Sequence, residues 1–493
     1  MPLDLLMFAG LIGCILLGFP VSFSIAGVAT AFAFLGWAAG QMDITLLGAL
    51  GQRVFGVLTN DVLIAIPLFV LMGVVLERSR VAEELLETMG RLFGGLRGGL
   101  GVSVVLVGAL LAASTGYNPR LASGVVCTAG TLGQIIPPST LLIILSDVMS
   151  NAYQQAQFEQ GKFTVETISV GQTFAAALLP GLTLVGIYIV YVLARAFLVP
   201  ADAPPADTSE PRPDLTAIVG AIVPPILLIV AVLGAILGGV ATPSEAASVG
   251  AVGAVLMAGY RNGAPKSLIL LGAAALLLLA VAAGLAPVRL QRSDVTLIGW
   301  VQGALYTGLA LAGVAAILAS LGRLARSGML KPALTSTMTV TAMIFATILT
   351  ASIFSLVFVG LGGEERIEQI LTAMPGGPTG ALIFCMALVF VLGFFLDFVE
   401  ITVILLPLIV PVLILMGHDP VWLAILLAIN LQTSFLTPPF GFSLFYLRGA
   451  APPEITTGHI YAGVAPFIAL QLVGMAIIWL MPAIATWLPA AIF

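Results

Sequence analysis

The sequence predicts an all-α polytopic membrane protein made of two inverted-topology repeats, each carrying one broken helix. Three observations lead there. First, the 493 residues are 60% hydrophobic and 8% charged, with a mean hydropathy of +1.15, whereas soluble domains carry about 25% charged residues. Second, Asn118-Pro119 … Pro137-Pro138 recurs as Asp419-Pro420 … Pro438-Pro439, with a step of 18 residues from the first proline to the second both times. Helices interrupted at matching places in two halves of an apolar chain mark the binding region of secondary transporters. Third, basic residues collect at Arg78, Arg80, Arg91 and Arg97, at Arg195 and Arg212, at Arg261 and Lys266, and at Arg323, Arg326 and Lys331. Placed on the cytoplasmic side, they make the segments alternate and give the two repeats opposite directions.

Residues 1–61 read as N-terminal scaffold helices; Met1-Pro-Leu-Asp-Leu-Leu has no basic start, so the first apolar segment is expected to stay in place. The first repeat spans 62–199 and the second 333–493. In each, an apolar helix runs into an acidic amphipathic segment, at 62–89 and at 342–374. The acidic ends, 77–89 and 363–374, suit an interfacial position. The closing helices 176–190 and 462–477 also correspond. Residues 200–214, rich in Pro and Asp, form a linker. Connecting helices at 215–237, 240–259, 267–287 and 297–321 fill the region 215–332, two of them extra (267–321). Each approaches the roughly 20 residues that about 30 Å of hydrocarbon requires. Thr242-Pro243-Ser244-Glu245 reads as a helix start. Cys14, Cys127 and Cys385 lack paired spacing and read as buried hydrophobes. The histidines, His418 and His459, lie at segment ends, and neither HExxH nor G-x-S-x-G occurs. An enzyme is not expected, nor is a nucleic-acid partner.

The chemistry concentrates at the breaks. Segments 130–139 (GTLGQIIPPS) and 431–440 (LQTSFLTPPF) are expected to be non-helical, close together and near mid-membrane. Gly130 and Gly133 let the backbone turn, and Thr131, Gln134 and Ser139 offer side-chain oxygens. Pro137 and Pro138 delete two N–H donors and release carbonyls of the preceding turn. Gln432, Thr433, Ser434 and Thr437 precede Pro438-Pro439 in the same manner. Half-helix N-termini at this depth suit a substrate carboxylate. Asp397 and Glu400 lie in an apolar run, where a central carboxylate costs about 2.5–3.5 kcal/mol; a wet, functional position for Asp397 is expected. Arg448 either attracts an anion or anchors at the interface.

On ATPSEAASVG (241–250), GTLGQIIPPS (130–139) and NLQTSFLTPPFGFSLFYLRG (430–449), the chain resembles the large membrane (permease) subunit of tripartite ATP-independent periplasmic (TRAP) transporters. The resemblance covers nearly the whole chain. It implies an ion-transporter-superfamily fold of elevator type, with re-entrant hairpins beside the two broken helices. It also implies import of an organic acid across a bacterial inner membrane, with Na+ as coupling ion and no other cofactor. The implied partners are a small four-helix TRAP membrane subunit, a periplasmic substrate-binding protein, a small carboxylate and membrane lipid. Finally, it implies that the hairpin tips, Ser114-Thr115-Gly116 and Asp397 with Thr402, meet the breaks and complete two sodium sites. The first hairpin departs from the pattern. Asp397 and Pro420 are 23 residues apart, Ser114 and Pro119 only 5, so about 18 residues, one hairpin arm, are missing after Gly116. Two alternatives follow: a transport-inactive variant that still assembles with its small subunit, or an anion permease that needs no binding protein.

Overall fold

The computed structural model describes residues 2–93, 101, 104, 117–162, 164–205, 214–287, 296–438 and 441–493. These residues form helices and no strand. Among them, seven helices are long and apolar enough to cross a membrane, or nine if each of two bent pairs counts as one span.

Helices α1 (Leu3–Leu16) and α2 (Val21–Ala38) are joined by a turn through Gly18, whose φ of +85 suits glycine. A 3-10 turn capped by Asp43 leads into α3 (Leu50–Leu58), and α4 (Asp61–Arg78) follows after a 50° bend. Asn60 fixes that corner by accepting from the Val62 and Leu63 amides. The amphipathic α5 (Val81–Phe93) comes next. The first broken helix is α6 (Pro119–Leu132) continued by α7 (Thr140–Glu159), and α8 (Val170–Leu198) closes this half. The connecting helices are α9 (Leu215–Leu237), α10 (Pro243–Arg261), α11 (Lys266–Leu285) and α12 (Leu297–Arg326). Their bounds follow the sequence expectation within a few residues, because each is an uninterrupted apolar run. At the start of α10, Thr242 and Glu245 cap one another reciprocally.

The second half repeats the order. Helix α13 (Leu330–Gly360) turns at Gly362 (φ +78) into the acidic α14 (Gly363–Thr372), as α4 turned into α5. Helix α15 (Gly377–Leu392) reaches a turn at 393–397, from which α16 (Phe398–Ile404) and α17 (Leu406–Leu415) return with a 56° bend. Pro407 explains the bend, since it cannot donate to the Val403 carbonyl and clashes with it. The second broken helix is α18 (Pro420–Leu436) continued by α19 (Phe442–Ala450); α20 (Thr457–Leu480) and α21 (Ala483–Ile492) end the chain.

The first broken helix, α18 and the α16–α17 arm form the interior: every residue from Trp422 to Leu436 and from Val399 to Ile404 is buried. Helices α4 and α13 pack on them, with α10 on α4 and α2 on α13. The extra pair α11–α12 lies outside, its helices joined to each other and to α10 through small residues. A Cβ on Gly272 of α11 would lie 2.3 Å from the Ala316 Cβ of α12, and one on Gly259 of α10 would lie 2.4 Å from Ser320 of α12. Close backbone approach of this kind holds membrane helices together, where no hydrophobic force distinguishes helix from lipid. Gly272→Leu is therefore expected to lower the melting temperature of the purified chain, through overpacking of about 1–3 kcal/mol. Gly284→Leu, with nothing within 4 Å of the added Cβ, is expected to leave it unchanged; equal melting temperatures would contradict the crossing.

Candidate functional site

The helix ends that lead into the two breaks meet. Gln432 Nε2 on α18 donates to Thr131 Oγ1 on α6 at 3.3 Å, and Thr131 Oγ1 in turn donates to the Thr128 carbonyl at 2.9 Å. Behind this contact, α6 crosses α20 at backbone distance: a Cβ on Gly124 would lie 2.2 Å from the Gly463 oxygen. Only glycine on both helices permits that approach.

Both breaks are shorter than the sequence suggested. Gly130, Thr131 and Leu132 complete α6, and Leu431 to Leu436, including Gln432, Thr433 and Ser434, complete α18; only 133–139 and 437–438 with 441 leave the helix. The cause is where donors disappear. Glycine and threonine tolerate a helix; at its end the ladder tightens to three-residue spacing, the Gln134 and Ile135 amides donating to the Thr131 and Leu132 carbonyls, and a proline four residues ahead removes a donor altogether. In the first half that releases the Gly133 and Gln134 carbonyls, and in the second the Ser434 and Phe435 carbonyls. Serine then takes up one of each pair: Ser139 Oγ donates to the Gln134 carbonyl, and Ser443 Oγ to the Phe435 carbonyl at 2.9 Å. The Ser434 carbonyl accepts from the Thr437 amide at 3.1 Å. Serines thus take up the Gln134 and Phe435 carbonyls released at the two breaks.

Among the described residues, Thr128 Oγ1, Gln134 Oε1, Thr402 Oγ1 and Gln432 Oε1 are buried with no hydrogen-bond partner. Each orphaned acceptor costs about 1–3 kcal/mol if nothing meets it. Thr433, Ser434 and Thr437 donate to the carbonyls of Ile429, Leu431 and Thr433 at 2.7–2.8 Å. Their protons are committed to their own helix, which leaves lone pairs facing outward. An oxygen set of amides and hydroxyls suits a hard cation of low charge. Among the described residues no group of three His, Cys, Asp or Glu stands together as a softer or more highly charged ion would want.

The α15–α16 turn reaches the second break. A Cβ on Gly393 would lie 2.0 Å from Ser434 Oγ, and the Phe398 and Phe435 rings are 5.9 Å apart. Asn430 Nδ2 donates to the Met386 carbonyl at 2.7 Å and ties α18 to α15. Asp397 is the N-cap of α16: its Oδ1 accepts from the Phe398 amide at 2.6 Å, while Glu400 accepts from the Asp397 amide at 2.9 Å. The two carboxylates therefore have a capping task, and Thr402, one turn on, is the arm residue with an uncommitted oxygen. Arg448 Nη1 donates to the Ile455 carbonyl at 2.8 Å, an anchoring role. Ser114, Thr115 and Gly116, the single arm expected at 101–116 apart from Gly101 and Val104, and Pro439 lie outside the described residues. Sequence reasoning missed Thr128, Ser443 and Asn430. Thr128 sits one helical turn before Thr131 on the same face, a signal that was available.

Comparison with known proteins adds independent findings. The chain matches the family model described as "Tripartite ATP-independent periplasmic transporter, DctM component" over residues 8–116 and 112–484. The two stretches meet at 112–116, where the repeats differ in length. The chain is 26% identical to the C4-dicarboxylate TRAP transporter large permease protein DctM of Vibrio cholerae, over 98% of this chain and 97% of that protein. It is 24% identical to the ectoine TRAP transporter large permease protein TeaC of Halomonas elongata, over 98% of both. The YdaH transporter of Alcanivorax borkumensis shares the fold with a TM-score of 0.54, at 15% identity over 90% of this chain and 88% of that one.

Proposed function

Because the chain belongs to the DctM family of TRAP transporters, a family of membrane permease components and not of enzymes, we propose that it imports a small organic acid together with Na+ by an elevator movement. The partners in this reading are a small four-helix membrane subunit and a periplasmic substrate-binding protein, and the site is a bacterial inner membrane. Repeats 62–199 and 333–493 supply the moving parts, and 1–61 with 215–332 the frame. The observation that carries the reading is the Gln432–Thr131 hydrogen bond with orphaned oxygens around it. Na+ near Gln432 Oε1 and Thr128 Oγ1 offsets their desolvation, and a bound carboxylate gains from the charge so placed. Movement as a unit is supported by ties inside the interior: Gln432 to Thr131, Asn430 to Met386, and Trp422 Nε1 to the Ile478 carbonyl at 3.0 Å.

The test is uptake of succinate, a four-carbon dicarboxylate, into vesicles holding the chain with both partners. Uptake is expected under an inward Na+ gradient and absent when choline replaces Na+; equal uptake in both would contradict the coupling. A second reading is favoured by one observation, the short segment after Gly116. If it marks a transport-inactive variant, inserting about 18 apolar residues after Gly116, the length by which the repeats differ, restores uptake that the unaltered chain lacks. Equal uptake by both forms dismisses that reading.

A further inference from the structure

The two broken helices are held differently on the far side of their breaks. Helix α7 runs for 20 residues, and Leu141 to Ser146 are all buried, so packing fixes the chain after the first break. Helix α19 has 9 residues, and among its described residues Leu444 alone is buried. Packing therefore holds the chain after the second break weakly, although Ser443 there takes up the Phe435 carbonyl at 2.9 Å. The further hold on Ser443 comes from the other half of the chain. Cys127 Sγ on α6 donates to the Ser443 carbonyl at 3.7 Å, within reach of the large sulfur atom. Cys127 is buried, as its apolar surroundings in sequence suggest, so water competes little for that carbonyl.

Gly124, Cys127 and Thr131 are three and four residues apart on one face of α6. Gly124 meets the Gly463 backbone, and Thr131 accepts from Gln432. Helix α6 thus grips the second half just before its break, at Gln432, and just beyond it, at Ser443. The grip is one-sided. Pro119 and Pro420, Pro137 and Pro438, and Thr131 and Gln432 are each 301 positions apart. By the same step Cys127 corresponds to Ala428, which has no side-chain donor to return the contact.

We propose that Cys127 is a positioning residue for the second break: it touches no ion itself, and through Ser443 it holds the chain in the shape that presents the Ser434 and Thr437 oxygens. Its consequence for Na+ rests on the transport reading above; its hold on the break does not.

The experiment compares Cys127→Ala with Cys127→Ser in the full chain in detergent. Both leave nearly the same small void, and only serine keeps a donor. Amide hydrogen exchange across 441–447, measured without Na+, is expected to quicken about two- to fivefold in Cys127→Ala, the range of one weak hydrogen bond, and to stay near wild type in Cys127→Ser. Cys385→Ala, at another buried cysteine, is the control for general loosening. Cys127→Val against Cys127→Thr repeats the comparison at larger volume should the smaller pair fail to fold. Exchange that is alike in the apolar and hydroxyl variants, or that quickens equally throughout the chain, would overturn the proposal. The Na+ midpoint of thermal stabilisation is expected to rise by the same factor in Cys127→Ala and to return in Cys127→Ser. An unmoved midpoint in a chain whose wild type responds to Na+ would overturn it as well. If the wild type does not respond to Na+, the transport reading fails, and the exchange rates alone decide the role of Cys127.

Discussion

Gly124→Val is expected to leave the chain without a folded, monodisperse state in detergent. The reason is the crossing of the first broken helix with the closing helix of the other half, where a Cβ on Gly124 meets the Gly463 oxygen at 2.2 Å and one on Gly463 meets the Arg120 oxygen at 2.1 Å. The obstructing atoms are backbone, so no rotamer change relieves the clash. Helix propensity works the other way, since glycine inside a helix costs about 1 kcal/mol relative to alanine. Overpacking of about 1–3 kcal/mol opposes it, and two helices must separate along their contact. Overpacking wins, more strongly for valine than for alanine. Size-exclusion profiles and melting curves read the outcome; a Gly124→Val chain as stable as wild type would mean that the crossing is not as described.

Gln432→Met carries the largest functional effect. Gln432 is fully buried, its amide nitrogen joins the helix ends that lead into the two breaks, and its Oε1 has no partner. Methionine keeps the length and fills the space, a swap that costs less than about 1.5 kcal/mol in packing. Removing an orphaned acceptor returns part of that loss. Stability without Na+ is therefore expected to change little. A dipole directed at an ion is worth about 1.5–3 kcal/mol, so Na+ affinity is expected to fall by roughly 10- to 100-fold at 1.4 kcal/mol per decade. Thr131→Val, which removes the hydroxyl that Gln432 reaches, is expected to act in the same direction. Titrating Na+ against uptake separates the two possibilities. A raised Na+ requirement with an unchanged maximal rate supports ligation, and an unchanged Na+ requirement refutes it.

Much of the architecture was legible in the chain. The spans at 215–237, 267–287 and 297–321 are continuous apolar runs, helical in the structure even though Pro224 and Pro225 remove two donors from the first. The paired amphipathic helices after Arg78 and Gly362 were readable for the same reason. The breaks were drawn too long, because Gly130, Thr131 and Gln432 to Ser434 look permissive in sequence while the structure keeps each of them in a helix. A proline pair does not by itself break a helix, since Pro224 and Pro225 lie inside α9. Which carbonyls stay free was not legible, since the answer depends on serines on the far side of each break, Ser139 and Ser443. The Gln432–Thr131 pairing joins residues 301 positions apart and has no local signature. Asp397 looked functional because a carboxylate in an apolar run is costly; its cap on α16 supplies a local reason for the residue to be there.

The measurement that tests the central claim most directly is the melting temperature of the purified chain as Na+ replaces choline at constant ionic strength. Binding to the folded state alone stabilises it by about 2.7 kcal/mol at a hundred times the dissociation constant. The two converging breaks predict a rise with Na+ in the wild-type chain that Gln432→Met and Thr131→Val both lose. No rise at all, or the same rise in wild type and both variants, would show that no cation is held where the broken helices meet.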